Sequence, residues 1–517
     1  MATRLLWFAP LAALMLAGCS DNDSDGANQL NSLVVEREVP KGDATCAGGG
    51  RIAESGLDNN RNGALEADEV TSAEYLECLT APRLRAFHAS PDAPAVNIKV
   101  NGADALSEVA YTQGSAFLPV AERTQLQVEA IVPGGNAIVI DEALDLQFDT
   151  DYTVIAAGEV SDPVGALVVS NPTAEPITPG SLRAQVVHAA PGVPAVDVYV
   201  TPPDADLTAS ASVNDAPLAF GEFTERIEAP AGTYQIRVTA AGDPGTVVYD
   251  SGELELAAGA DLLIAAVVNT GPGATPVQLV ALDGEGATTL LDANTPASVI
   301  AVHASPDAPA VDVLADDKAT AAVENLTLAR NVSFADVCRI AQVPAPGDYG
   351  VSVTATGDPS TVALQFDLAP EKADELTAIV TGYLGSTPAI RPIALAADTR
   401  SVVTEAKVRV THAAPGTGAV DLYLLPNDTD LNGASPTVAA APFGADTGVL
   451  SIAPGTYDVY VTPAGDKAVV AIEVQDLALS GGAVLDVIAR DAATDGSEGS
   501  LPQLIVVDYA NLADCPA

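Results

Sequence analysis

The chain is 517 residues long and carries 22 Lys+Arg against 69 Asp+Glu, a formal net charge of -47. A field of that sign repels phosphate backbones and anionic lipid surfaces, so nucleic acid is excluded as a partner. Apolar residues at 48% are too many for wholesale disorder, which places the acidity on the surfaces of folded domains, about three to five of them at this length.

Arg4, the apolar run Leu5 to Ala17 and then Leu16-Ala17-Gly18-Cys19 form the charged, apolar and small-residue sections of a secretory signal. The run is too short to span a bilayer. Its end resembles a bacterial lipobox, which implies a lipoprotein signal peptide over residues 1–18 and lipid on Cys19. A multi-chain lipid anchor holds stably to a membrane. Ser20, Asp21, Asn22, Asp23, Ser24, Asp25 and Gly26 begin a polar stretch expected to be a flexible tether over 19–45. By resemblance to Gram-negative lipoproteins, Ser20 rather than aspartate directly after the cysteine favours the outer membrane, facing the periplasm or the cell surface.

Four further cysteines, Cys46, Cys78, Cys338 and Cys515, allow three pairings in an oxidising compartment. Cys46 with Cys78 is expected because the two bracket one small module, 46–80, which lacks core enough to hold without a staple. Cys338 with Cys515 follows as the remainder. Between the first two runs a stretch that fits the calcium loop D-x-[DN]-x-[DN]-G-x5-E at every specified place. Asp58, Asn60 and Asn62 offer side-chain oxygens, Gly63 allows the turn, Ala64 gives a carbonyl, Glu66 acts through water and Glu69 supplies the bidentate carboxylate. Val70, Ala73, Leu76 and Leu79 fall at helical spacing and predict an exiting helix. The glycines at 48–50 rule out an entering one. The pattern resembles a cysteine-flanked EF-hand-like module of bacterial surface lipoproteins, with Ca2+ in a structural role.

The rest of the chain repeats. His88-Ala89-Ser90-Pro91-Asp92, His188-Ala189-Ala190-Pro191-Gly192, His303-Ala304-Ser305-Pro306-Asp307 and His412-Ala413-Ala414-Pro415-Gly416 are each followed by Ala-Val-[Asp/Asn], ending at Asn97, Asp197, Asp312 and Asp421. The spacing of about 100–115 residues is that of domains with their own cores, not of a solenoid. A Pro-x-Gly-x-Tyr or Pro-Gly-x-Tyr strand follows around Tyr234, Tyr349 and Tyr457, replaced in the first copy by Val120 to Val128. Alternating segments such as Val196 to Val200, about seven per copy with turn signals between them, predict tandem immunoglobulin-like β-sandwiches, an all-β fold. The repeats are expected at 83–178, 181–292, 297–400 and 405–517. These motifs resemble the DUF4397 family of envelope repeats, which implies a β fold and an envelope location and brings no activity with it.

Four histidines, one per copy, are candidate metal ligands or bases, yet one histidine with one neighbour falls short of a catalytic metal set. A hydrogen bond closing a strand-end turn is the favoured role of His88, His188, His303 and His412. No nucleophile elbow, P-loop or dinucleotide fingerprint is present in the sequence, so the expectation is a non-enzymatic envelope lipoprotein. It displays four domains to an unidentified envelope or extracellular ligand, as a cell-surface interaction or adhesion module. The alternative is a structural spacer of envelope assembly with no ligand of its own.

Overall fold

A computed structural model of the chain describes residues 31–173, 175–318, 326–494, 498 and 501–516. The expected signal peptide and Cys19 lie outside the described residues. Val, Thr, Ile and Tyr recur from residue 31 onward between polar turns, and the regular structure of the described residues is almost entirely strand.

The first three strands, Asn31–Val39, Gly50–Asp58 and Val70–Cys78, make one antiparallel sheet. Two expectations are corrected here. Residues 31–39, assigned to the tether, are the first strand of this module, paired along their length with 50–58. The helix expected after the calcium loop is the third strand: Leu76 is exposed, so the helical face had no core to cover. Pairing of Val70, Ser72 and Tyr75 with the middle strand wins. The Cys46–Cys78 disulfide closes the module, with Cα atoms 5.1 Å apart. Its base docks on the first repeat through Thr80, which donates to Asp149 Oδ1 at 2.6 Å, and through Lys41, 5.2 Å over the Phe148 ring.

Every repeat is a two-sheet sandwich of one topology. In the fourth the strands are Ala406–His412, Val420–Pro426, Val438–Ala441, Leu450–Ile452, Gly455–Pro463, Ile472–Leu479, Val484–Arg490 and Gln503–Asp508. One sheet runs fourth-first-seventh-eighth, the other third-second-fifth-sixth. The first and third repeats have the same order; in the second an isolated bridge, Val196 to Leu218, stands in for the third strand, and Ala287–Leu290 extends the first sheet. The architecture is that of a β-sandwich, but in an immunoglobulin domain the first strand pairs with the second. Here it lies between the fourth and the seventh, and parallel to the seventh.

That parallel pair decides how the repeats assemble. A parallel strand pair is normally covered on both faces, and its sequence is correspondingly apolar throughout, as in Leu262 to Val268. In the first repeat Leu84, Ala86, Val154 and Ala156 face its own second sheet. Phe87, Ala89, Ile155, Ala157 and Val169 face the other way and pack against Val187, Ala189, Leu263, Ala265, Val267, Val280 and Leu282 of the second repeat. The third and fourth repeats join in the same manner, through Ile300, Val302 and Ile379 against Val484, Ile488 and Val507. The chain therefore builds two four-layered stacks, each made of two sandwiches fused through their first sheets. They touch where Arg400 donates to the carbonyls of Pro91 and Ala93 at 3.1 and 2.8 Å. The last residues cross back to the third repeat: Cys515 is bonded to Cys338, and the Arg339 and Cys515 backbones pair there.

Candidate functional sites: the calcium-type loop and the histidine turns

The loop from Asp58 to Glu69 joins two strands rather than two helices. Asp58 and Glu69 are buried, 1% and 4% exposed, and they organise the loop from within. Asp58 Oδ1 and Oδ2 accept the amides of Asn62 and Gly63 at 3.1 and 2.8 Å. Glu69 Oε1 accepts those of Asn59 and Asn60, and Oε2 that of Glu66. Gly63, at φ 82° with open space around it, makes the turn that a side chain would strain. The side-chain amides of Asn60 and Asn62 donate to the Glu66 carboxylate at 3.1 and 2.6 Å, which holds that carboxylate below its ordinary pKa. Among the described residues no three His, Cys, Asp or Glu side chains converge as a metal cage. The donor set is all oxygen, as calcium requires. Each carboxylate oxygen that accepts one N–H keeps a second lone pair, and rotation of the two Asn amides would present their oxygens in place of nitrogen.

The four histidines end the first strand of each repeat and are buried. Nε2 of His88, His188, His303 and His412 lies 2.9, 3.3, 3.1 and 3.0 Å from the carbonyls of Pro94, Pro194, Pro309 and Gly418. Each ring meets an aromatic edge-on, Tyr111, Phe220, Phe334 and Phe443, with centroids 6.1 to 6.4 Å apart. In three copies Nδ1 accepts the amide two residues on. The remaining motif residues are also engaged: Ser90 and Ser305 donate to Gly158 and Gly382, and Asp92 and Asp307 accept the amides of Val160 and Leu384.

The aspartates that end the repeated motif face away from these histidines. Asp312 and Asp421 each clamp two backbone amides, of Asn331 and Gly357 and of Ala440 and Gly465, at 2.7 to 3.0 Å. Asp197 holds Asn214 and Gly242. The backbone N–H groups of Ala440 and Gly465 bring the Asp421 carboxyl below its ordinary pKa. At Asp312 burial acts upward, but the amides of Gly357 and Asn331 together with the Thr356 hydroxyl and Arg330 outweigh it. The Tyr234, Tyr349 and Tyr457 hydroxyls donate back to the carbonyls of Pro230, Pro344 and Ala453.

Two features escaped the motifs. An apolar cavity of about 210 Å³ lies between the sheets of the third sandwich, bordered by Val313, Ile340, Val351 and Phe366. A polar cavity of about 350 Å³ opens between the first and second repeats. Arg85 on its wall was legible as a cation between the apolar Leu84 and Ala86, three residues before the motif histidine.

Comparison with known proteins agrees with the repeat reading in part. The family described as a domain of unknown function, DUF4397, matches residues 82–199 and 297–423. Each match covers the odd-numbered repeat of a stack and the opening strands of its partner. A second domain family, DUF7151, matches residues 31–78, the three-stranded module. No curated protein matches the chain. Among solved structures, the Bacillus anthracis TIE protein is similar at 11% identity over 76% of this chain and 65% of that one, with a TM-score of 0.16. The chain thus spans just under two thirds of that structure's length. Among the described residues no helix is long and apolar enough to cross a membrane, and the two disulfides fit an oxidising compartment.

Proposed function

We propose that the chain is a lipid-anchored protein of the bacterial outer membrane, attached through Cys19, that displays its four sandwiches as a non-enzymatic interaction or adhesion module. One observation carries the reading. The residues common to all four repeats are consumed inside the scaffold by hydrogen bonds and ring contacts. The segments after the second strand, where the copies differ, are largely exposed around residues 202–217 and 426–437. A fixed scaffold with variable surface loops is the usual build of a recognition protein, and repeated weak sites gain from multivalency.

Calcium belongs to the same proposal. Asp58, Asn60, Asn62, Glu66 and Glu69 with the Ala64 carbonyl would hold it, the ion tying together the loop that joins the second and third strands of the module. Titration of the full chain with Ca2+ should give heat that Glu69→Gln abolishes; identical heats from the two proteins refute the site.

Protease treatment of intact cells, with a periplasmic protein as integrity control, tests the display. Digestion of the repeats supports a surface interaction module. Full protection places them in the periplasm and returns the alternative of a structural spacer. Replacing Cys19 should release the protein from the membrane fraction.

A further inference from the structure

In each repeat the residue three before the motif histidine points from the first strand toward the partner sandwich: Arg85, Gln185, Ile300 and Arg409. Both arginines are buried, but their surroundings differ. Arg409 lies in register with Asp486 of the parallel neighbour strand. Its Nε donates to Asp486 Oδ1 at 2.9 Å, its Nη2 to Oδ2, and its Nη1 to the Ala396 carbonyl at 2.6 Å. Tyr509 completes the arrangement with a 2.6 Å bond to the same carboxylate.

At Arg85 the neighbour in register is Thr153. Nε donates to its hydroxyl at 2.8 Å, the guanidinium stacks 4.5 Å over the Phe117 ring, and Nη1 has no hydrogen-bond partner, although the residue is only 5% exposed. The other cations on the cavity wall are matched, Arg83 by both oxygens of Asp151 and Arg226 by Asp261 and Glu175. Burial presses the Arg85 pKa down to about 10. A buried charged donor left unpaired is costly, and the partner that the second stack builds in is missing from the first.

We propose that the cavity between the first and second repeats is a binding site for a small organic monocarboxylate, which pairs with the unpartnered Nη1 end of the Arg85 guanidinium and supplies the counter-charge that Asp486 gives Arg409. Guanidinium and carboxylate match in a two-point pair. Asp283 and Glu285 on the opposite wall disfavour the second negative charge of a sulfate or phosphate and accept hydrogen bonds, which favours over a bare carboxylate such as acetate a ligand with an ammonium or hydroxyl group at its other end, as in an α-amino acid. The site sits where two domains meet, a common place for a ligand pocket.

The test uses the full chain and melting curves at matched ionic strength, with acetate and glycine as probes and sulfate as control. Acetate and glycine should raise the wild-type midpoint in a concentration-dependent way, and sulfate should not. Thr153→Asp, which copies Asp486, should melt about 2–4 °C above wild type without any probe and should lose the response. Arg85→Met, which keeps the stem on Phe117, should lose the response without melting lower. The proposal is overturned by a Thr153→Asp protein that melts no higher than wild type. It is overturned equally by a wild type indifferent to both carboxylates, or by a response that survives in either variant.

Discussion

His88 shows how a residue type suited to catalysis is turned to structural use. Burial, only partly offset by the Pro94 carbonyl, lowers its pKa to about 4, against about 6.5 in an unfolded chain. Between those values the unfolded state binds the proton and the folded state does not. Its contribution is therefore fully present above pH 6.5 and is lost as pH falls toward 4, about 3 kcal/mol in all. Burial depresses His188, His303 and His412 in the same direction. Urea midpoints should fall between pH 6.5 and 5, where ordinary carboxylates are still ionised, and His88→Gln should flatten that slope; an unchanged slope would show that the ring is not held neutral. At Asp421 the expected loss is of another kind. Asn97 occupies this place in the first repeat, and its NH2 is taken by Glu129 at 3.1 Å. In the fourth repeat Asp421→Asn would turn that NH2 against a backbone N–H of Ala440 or Gly465, losing one of the two hydrogen bonds of the clamp at a cost of about 1 kcal/mol. Equilibrium denaturation of the variant measures it, and a neutral result would mean that the clamp is dispensable.

At the scale of the element, strand alternation was readable wherever one face is wet, as in Arg123–Ala130, whose exposed and buried positions alternate. It failed where both faces are covered. Val154 to Ala157 and Leu262 to Val268 read as apolar runs, and nothing in a run says which side meets the partner sheet. For that reason the sandwich was legible and the stacking was not, although one signal was present. The Ser-Pro-Asp form of the motif stands in the first and third repeats and the Ala-Pro-Gly form in the second and fourth, so the duplicated unit is a pair. The turn at Gly63 was legible in the sequence, whereas the elements flanking that loop were not, because Val70, Ala73, Leu76 and Leu79 satisfy a helical period while Val70 and Ala73 pair as strand residues. Phe87 tests the stacking at this scale. It packs outside its own sandwich, so Phe87→Ala should cost about 3–5 kcal/mol and lower the midpoints of the first and second repeats together. A loss confined to the first repeat would show that the two do not share a core.

For the whole molecule, four sandwiches become two cooperative bodies. The second repeat alone would expose Val187, Leu263, Val267, Val280 and Leu282, all buried in the stack, and a contiguous apolar face of that kind drives association. The segment joining the stacks is held by its neighbours: Asp292 accepts the Asp250 amide at 2.8 Å, and Ala293 donates to the Asp250 carbonyl at 2.7 Å. A chain cut to residues 81–292 should therefore be monomeric and unfold in one transition, whereas 181–292 should aggregate. Size-exclusion chromatography distinguishes the outcomes, and a well-behaved single repeat would refute the paired unit. In the second stack the crossing of the C-terminus adds a covalent tie that the first lacks. Replacing both Cys338 and Cys515 by serine should lower the stability of that stack by about 2–4 kcal/mol and leave the first unchanged. The full chain would then show its two melting transitions moving apart or together according to which stack is the weaker, and a shift in both would mean that the Arg400 contact couples them into one body.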